Sequence, residues 1–373
     1  MRIVQVSPFY SPVVGGVEEV VRRIAEYMAS RGHEVHVVTY NRLRSDGLGS
    51  LPREEVINGV HVIRLRPRFT WSHGSYSPEL PDVIRSLRPD VVHVHVWRHP
   101  HVFQVARLKG ELGFTAVLHG HSPFHTLSQL GLVTWLYHRL ADAFGRGALA
   151  AYDAYIALTS YESRVVQGLG LDEGKIHVIP NGIDEDRCSA DLDSRSGSAV
   201  LYLGRVSKSK NLGLLAKSME YVRGKAKEVK LVIAGPDEGL VNEVISYVRS
   251  HGVKAEYLGA VSEGEKHRLY SASDVYAFPS TFEPFGITLL EAEAHGTPPV
   301  ITGQGGQVEV APPGVVGLWA RPKPRDFGEA IAELLTNESL RRKLAYQARQ
   351  WSQRFTWGRL LPKYEELYGK LTA

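Results

Sequence analysis

Short runs of Val, Ile and Leu alternate with helical patterns from the first residues of the chain. Ile3–Val6, Val35–Thr39, Val60–Leu65, Val91–Val96, Thr115–Leu118 and Ala154–Thr159 are rich in β-branched residues and bounded by turns or polar positions, which predicts strands. Between the first two, Val17, Val20, Val21, Ile24, Ala25 and Met28 form an apolar stripe at helical spacing that stops before Gly32, so a helix is expected over Gly16–Ser30. Strand, helix and strand in that order make a βαβ unit. A run of such units implies a mostly parallel sheet covered by helices on both faces.

A second α/β series starts near Ser198, with strands expected at Ala199–Leu203, Val229–Ala234, Ala255–Leu258, Val275–Ala277 and Val300–Ile301. The polar stretch 184–198 has little to pack and reads as a linker. The chain is therefore expected to form two Rossmann-like α/β domains, residues 1–184 and residues 198–354, with sheets of similar size facing each other across a cleft. Helices are predicted at about Pro324–Leu335 and Glu338–Arg354. The tail carries Phe355, Trp357, Leu361, Tyr364, Leu367 and Tyr368, more apolar surface than a loose terminus exposes, so it must pack on something.

Composition narrows the class. The 373 residues are 43% hydrophobic and 23% charged, as in a soluble globular protein. A net charge of +4 is mild and disfavours a nucleic-acid partner. Cys188 is the only cysteine, so no internal disulfide can form. The first residues read as a strand without the apolar core of a signal peptide, and no apolar run reaches the roughly 18 residues of a membrane span. A cytoplasmic protein, soluble or peripherally bound, is expected.

The candidate chemistry centres on Ser280–Ala292. Pro284 makes Phe282–Pro284 a poor helix interior, whereas Ile287, Leu289, Leu290, Ala292 and Ala294 predict a helix starting near Gly286. Glu283 then precedes the helix and Glu291 lies one to two turns inside it. In a continuous helix the two carboxylates would stand about 12 Å apart along the axis; the break at Pro284–Gly286 changes that. Glu283 can face the reacting end of a ligand and accept bonds from sugar hydroxyls, while Glu291 reaches a ribose. Unpaired amides around Phe285–Thr288 favour phosphate. The competing reading is two solvent-facing glutamates on an amphipathic element. A second constellation follows the first strand of the second series. Arg205 after Gly204 offers a fork to phosphate oxygens and Lys210 a point charge, which together suit a diphosphate leaving group without a metal. Alone, two or three basic residues in a βα loop are more often just a wet loop.

Taken together, these segments resemble the large retaining glycosyltransferase family 4, the glycosyl transferases group 1, whose architecture is the GT-B fold. The resemblance covers essentially the whole chain. It rests on Glu283, Phe285-Gly286 and Glu291 after Ser280, and on Gly204-Arg205 followed by Lys210, where the glycine usual after the lysine is Asn211. Gly15-Gly16-Val17-Glu18 is similar to the family's first glycine-rich loop, His119 to a histidine beside the transferring sugar, and Pro180–Asp184 to a turn before the linker. Gly305-Gly306 with Glu309 is similar to a Gly-Gly loop, although Gly303 and Gln304 are unusual companions. The resemblance implies catalytic roles for Glu283, His119, Arg205 and Lys210. It implies donor contacts by Gly15, Gly16, Arg205, Lys210, Phe285, Gly286, Ile287 and Glu291. It also implies a GDP- or UDP-sugar donor, a hydroxyl acceptor, retention of anomeric configuration, no cofactor or metal, and a tail, 355–373, that packs back on the first domain.

Other readings rank lower. The first βα turn, SPVVGGVEE, is not the dinucleotide fingerprint GxGxxG, and no Walker lysine motif is present. His93, His95, His99, His101, His119, His121 and His125 cluster in sequence, and His93 and His95 share a strand face in imitation of a metal site. Their place at the C-terminal end of a parallel strand reads as cleft lining or packing. Asp184-Glu185-Asp186 matches the Asp-x-Asp of another transferase fold only by coincidence. Leu130, Leu132, Trp135, Leu136 and Tyr137 are expected to pack in the first core, with an acceptor groove or a membrane-docking surface as the alternative. A nucleotide-sugar 2-epimerase of the same architecture and a non-catalytic sugar-nucleotide binder remain as rival functions.

Overall fold

In the computed structural model the described residues are 1–43, 51–71, 74–121, 127–185 and 198–373. They form two compact units. The first is built from residues 1–121, Leu132–Asn181 and Trp357–Ala373, and the second chiefly from Gly182–Thr356. Most of the expected linker, with Cys188, Asp186 and also His125, lies outside the described residues.

The first unit carries β1 (Arg2–Val6), β2 (Glu34–Tyr40), β3 (Glu54–Ile57) and β4 (Val60–Leu65). A short ribbon of β5 (Phe69–Trp71) and β6 (Gly74–Tyr76) follows, then β7 (Val91–His95), β8 (Thr115–His119), β9 (Ala154–Ala157) and β10 (Ile176–Val178). Eight of these make one sheet in the order β10-β9-β8-β7-β1-β2-β4-β3. All pairs are parallel except β3 with β4. Being covered on both faces, the central strands are continuous apolar runs, and Ile3, Val4 and Val6 are wholly buried. The antiparallel edge was missed in the sequence, though Asn58-Gly59 marks it: both residues have positive φ, 51° and 82°, as a two-residue hairpin turn needs.

The helix Gly16–Ser30 covers one face, and the helix Trp357–Thr372 lies beside it. Trp357, Leu361, Tyr364, Leu367 and Tyr368 share one core with Ile3, Val20, Val91 and Val117. The Tyr27 hydroxyl donates to Glu365 at 3.1 Å, joining the two helices.

The second unit has β11 (Ala199–Leu203), β12 (Lys230–Ala234), β13 (Lys254–Tyr257), β14 (Val275–Phe278), β15 (Phe282–Glu283), β16 (Pro299–Ile301), β17 (Gln304–Gly305) and β18 (Leu318–Trp319). Six form a parallel sheet ordered β13-β12-β11-β14-β16-β18, while β15 and β17 pair separately. Each main sheet reverses its winding once, between β1 and β7 in one unit and between β11 and β14 in the other. Loops leaving the carboxyl ends of the strands at such reversals part to opposite sides and leave a crevice.

One expectation fails outright. The helix Leu132–Phe144 is not a core element: Leu132, Val133, Leu136, Leu140 and Phe144 are exposed, Phe144 to 84%. Its buried residue is Asp142, which takes Arg98 Nε at 2.8 Å, Arg98 Nη2 at 2.7 Å and the Trp97 indole at 2.9 Å. A buried guanidinium requires a buried carboxylate, so the polar side of this helix turns inward.

Candidate functional site

In the second unit the loops after β11 and β14 start on either side of the reversal. Their backbones are fixed from below by two buried tyrosines: the Tyr202 hydroxyl donates to the Arg205 carbonyl at 2.7 Å and Tyr276 to the Leu203 carbonyl at 2.8 Å. The first loop ends in a helical turn, Lys208–Lys210, and then Asn211 with φ 57°. That left-handed geometry is one that only Gly, Asn and Asp adopt cheaply, which explains Asn211 in the family's glycine position. Its amide also donates to the Pro279 carbonyl at 3.3 Å, tying the first loop to the end of β14.

These constraints bring Lys210 and Glu283 together. Lys210 Nζ donates to Glu283 Oε2 at 2.5 Å, with both side chains largely buried. Glu283 sits in β15, and the Gly306 amide donates to its carbonyl at 3.0 Å. The Gly-Gly loop is thus built directly against the Glu283 segment. Gly303 has a steric reason: a Cβ there would stand 2.5 Å from the Ser280 carbonyl oxygen. Gly286, with φ 92°, turns the chain into the helix Ile287–Ala294, whose first amides lack intrahelical acceptors. Phe285 is buried edge-on against Phe355, and Ile287 is half-buried at the helix start.

The other two predicted groups already have partners. Arg205 Nη1 lies 3.1 Å from Glu238 in an exposed ion pair and does not join Lys210. Glu291 is 8% exposed and accepts from Lys266 Nζ at 2.6 Å and from the Tyr270 hydroxyl at 3.0 Å. Sequence reasoning missed both Lys266 and Tyr270, which lie 25 and 21 residues upstream on another helix. Burial pushes the Tyr270 hydroxyl well above its ordinary value, so it stays a donor.

In the first unit Gly15 precedes the helix Gly16–Ser30 with φ 175°, extended backbone that any residue adopts. At the opposite side of the reversal, His93 and His95 on β7 and His119 on β8 are wholly buried. The His119 ring stacks on His121, with centroids 3.9 Å apart, and neither of its nitrogens has a hydrogen-bond partner among the described residues. Burial holds His93 down at about 3, and His95 and His119 well below their ordinary range, so all three are neutral. Their rings lie against one another, and those of His93 and His119 against Tyr364 of the terminal helix. Just after β7, Val96 and Arg98 adopt φ 72° and 73°. A β-branched residue there is strained by about 1–3 kcal/mol, a feature no sequence pattern announces.

Comparison with known proteins points one way. Residues 14–187 match the family described as Glycosyltransferase Family 4, and residues 192–351 match Glycosyl transferases group 1. An uncharacterized glycosyltransferase of Methanocaldococcus jannaschii is 28% identical over 99% of this chain and 98% of its own. The sucrose-phosphate synthase of Thermosynechococcus elongatus has the same fold, with a TM-score of 0.82 at 20% identity over 99% of this chain and 98% of that one. Anabaena HepE, solved with UDP and glucose, has a TM-score of 0.76 at 19% identity over 99% and 100%. The chain belongs to the GT-B glycosyltransferase superfamily. Its two Rossmann-like units are those of that fold. Within the GT-B framework the junction of Lys210, Glu283, the Gly-Gly loop and the start of the helix Ile287–Ala294 is the densest meeting of the predicted residues in the second unit.

Proposed function

We propose that this GT-B protein is a retaining glycosyltransferase of family 4 that moves a hexose-type sugar from a GDP- or UDP-sugar to a hydroxyl acceptor. The observation that carries the reading is the Lys210–Glu283 pair at the mouth of the β11/β14 reversal, beside the first amides of the helix Ile287–Ala294, which no side chain among the described residues caps. A diphosphate placed at those amides offers Lys210 a more highly charged partner than Glu283, and frees the carboxylate to accept from sugar hydroxyls. Arg205 leaves an exposed pair worth about 0–1 kcal/mol, so its turn toward the phosphates costs little. A carboxylate has about four acceptor positions, and Lys266 and Tyr270 occupy two at Glu291, leaving room for a ribose.

In this mechanism Arg205 and Lys210 neutralise the departing diphosphate. The acceptor hydroxyl attacks from the same face through a short-lived oxocarbenium-like ion pair, and its proton passes to a leaving phosphate oxygen. The new glycosidic bond forms as the old one to phosphate breaks. Glu283 positions the sugar and stabilises its positive charge, and His119 orients it through a ring N–H. Gly15, Gly16, Phe285, Gly286 and Ile287 bind the donor through backbone approach and packing. The HepE complex with UDP and glucose supports this donor class. The exposed stripe Leu132, Val133, Leu136, Leu140 and Phe144 favours an acceptor met at the cytoplasmic face of a membrane.

The test screens GDP-mannose, UDP-glucose and UDP-N-acetylglucosamine by thermal shift, then measures diphosphate release with acceptor. Lys210→Ala and Arg205→Ala should each lower kcat by about 100-fold or more through lost transition-state stabilisation. Near-wild-type kcat for both at saturating donor and acceptor sinks the assignment. Product linkage analysis separates transfer from 2-epimerisation, and steady turnover separates it from binding alone.

A further inference from the structure

Three imidazoles meet inside the first unit, against Tyr364 and Tyr368 of the helix Trp357–Thr372. His93 and His95 point from the same face of β7, and the β7–β8 register sets His119 directly opposite His95. The ring centroids are 4.2 Å apart for His93 and His95, and 5.6 Å for His119 from each. Their ligand-capable nitrogens all lie within 4.8 Å of one another. All three side chains are wholly buried, a setting in which unbonded polar atoms are rare. Yet His93 Nε2 and both nitrogens of His119 have no hydrogen-bond partner among the described residues.

The groups behind the rings are arranged as supports. Gln5 Oε1 accepts from His95 Nε2 at 2.8 Å, which leaves a lone pair on Nδ1. That Nδ1 lies 3.0 Å from His121 Nε2, so a fourth imidazole borders the cluster. The Tyr368 hydroxyl, from the terminal helix, holds His93 Nδ1 at 2.6 Å and leaves Nε2 facing its neighbours. An oxygen partner on the distal nitrogen is the usual outer support of a metal-bound histidine.

We propose that His93, His95 and His119 form a three-imidazole site for a divalent transition-metal ion of the zinc class, in the place where the sequence predicted cleft lining or packing and no metal. Neutral nitrogen donors suit zinc, nickel or copper and not magnesium or calcium. Around a tetrahedral zinc with Zn–N near 2.0 Å the donors stand about 3.3 Å apart, a contraction that small ring rotations supply. His121 Nε2 or a water takes the fourth position. The ion ties β7 to β8 and fixes the His119 ring, and ligation through one nitrogen leaves the second for a sugar hydroxyl. Only that last role rests on the proposed transferase activity; the site itself does not.

The test uses the full chain without an affinity tag, stripped with EDTA and titrated with Co²⁺ alone and then Zn²⁺. A single tight equivalent of cobalt with the visible bands of a four-coordinate ion, displaced by zinc, and a higher unfolding temperature with zinc are expected. His93→Phe and His95→Gln should each weaken metal affinity by at least roughly tenfold, and Gln5→Leu by about 10–100-fold as a support. X-ray absorption of the zinc-loaded wild type should count at least three imidazoles, which decides the matter if a histidine variant does not fold. No uptake by the wild type, two imidazoles or fewer, or a folded His93→Phe that binds as tightly as wild type overturns the site. Transfer is assayed separately: metal uptake without transfer sinks the functional reading, and transfer without metal uptake sinks this one.

Discussion

Replacing Glu293 by Gln should stabilise the protein by an amount that grows with pH. Glu293 lies in the helix Ile287–Ala294, is wholly buried, and has no hydrogen-bond partner on either oxygen among the described residues. Burial pushes its carboxyl well above the ordinary value of 4.5, so the folded protein keeps the proton while the unfolded chain releases it. A folded-state value raised in this way leaves stability intact below pH 4.5 and erodes it as pH rises toward the folded value. The loss is about 1.4 kcal/mol per pH unit. A neutral carboxyl and a carboxamide have nearly the same shape, so wild type and Glu293→Gln should be about equally stable at pH 4.5. One and a half units higher, at pH 6, the variant should lead by about 2 kcal/mol. Urea unfolding at several pH values, with amide-exchange protection of residues 287–296 reporting on the second unit, measures the difference. A gap that stays flat from pH 4.5 to 7, or a variant less stable at pH 6, refutes the argument that Glu293 is held neutral.

Other predictions follow from geometry already described. Asp142→Ala should cost about 3–5 kcal/mol in urea unfolding, because Arg98 is left charged and buried; Arg98→Met with Asp142→Leu should recover most of it. Asn211→Gly should change stability by less than about 1 kcal/mol, whereas Asn211→Val should cost more than about 1–2 kcal/mol, since a β-branched residue resists φ 57°. Equal losses for the two would remove the conformational account of Asn211. Gly286→Ala forces a side chain onto φ 92° and toward Leu289 Cδ1, 2.8 Å away, and should weaken nucleoside diphosphate binding in calorimetry while leaving the first unit's unfolding unchanged.

The alternation of apolar runs and helical stripes located the strands of both main sheets to within a few residues except the edge strands β3, β10 and β18, since buried parallel strands have no polar face to blur the pattern. It failed where partners are remote. The two-residue strands β15 and β17 carry no period, and only the pairing of Phe282 with Gln304 defines them. The partners of Glu291 come from another helix, and a single sequence does not announce which lysine or tyrosine folds onto a given carboxylate. The exposed stripe of Leu132–Phe144 looked like core because periodicity reports that a helix has two faces, not which one turns inward. Buried Arg98 decides that, and its demand for Asp142 is a tertiary fact. Asn58-Gly59, by contrast, was a readable hairpin signal that went unused.

The terminal helix has a consequence for the order of folding. The second unit is nearly continuous from Gly182 to Thr356 and can finish its sheet as soon as that stretch has been made. The first unit needs Tyr364 and Tyr368 to roof a core begun at Ile3, and those residues are made only after the whole of the second unit. At about 5–20 residues per second, the roughly 175 residues between take on the order of 10–35 s. The half synthesised first is therefore completed second, and meanwhile the face of β7 and β8 that carries the histidines stands uncovered, within reach of chaperones.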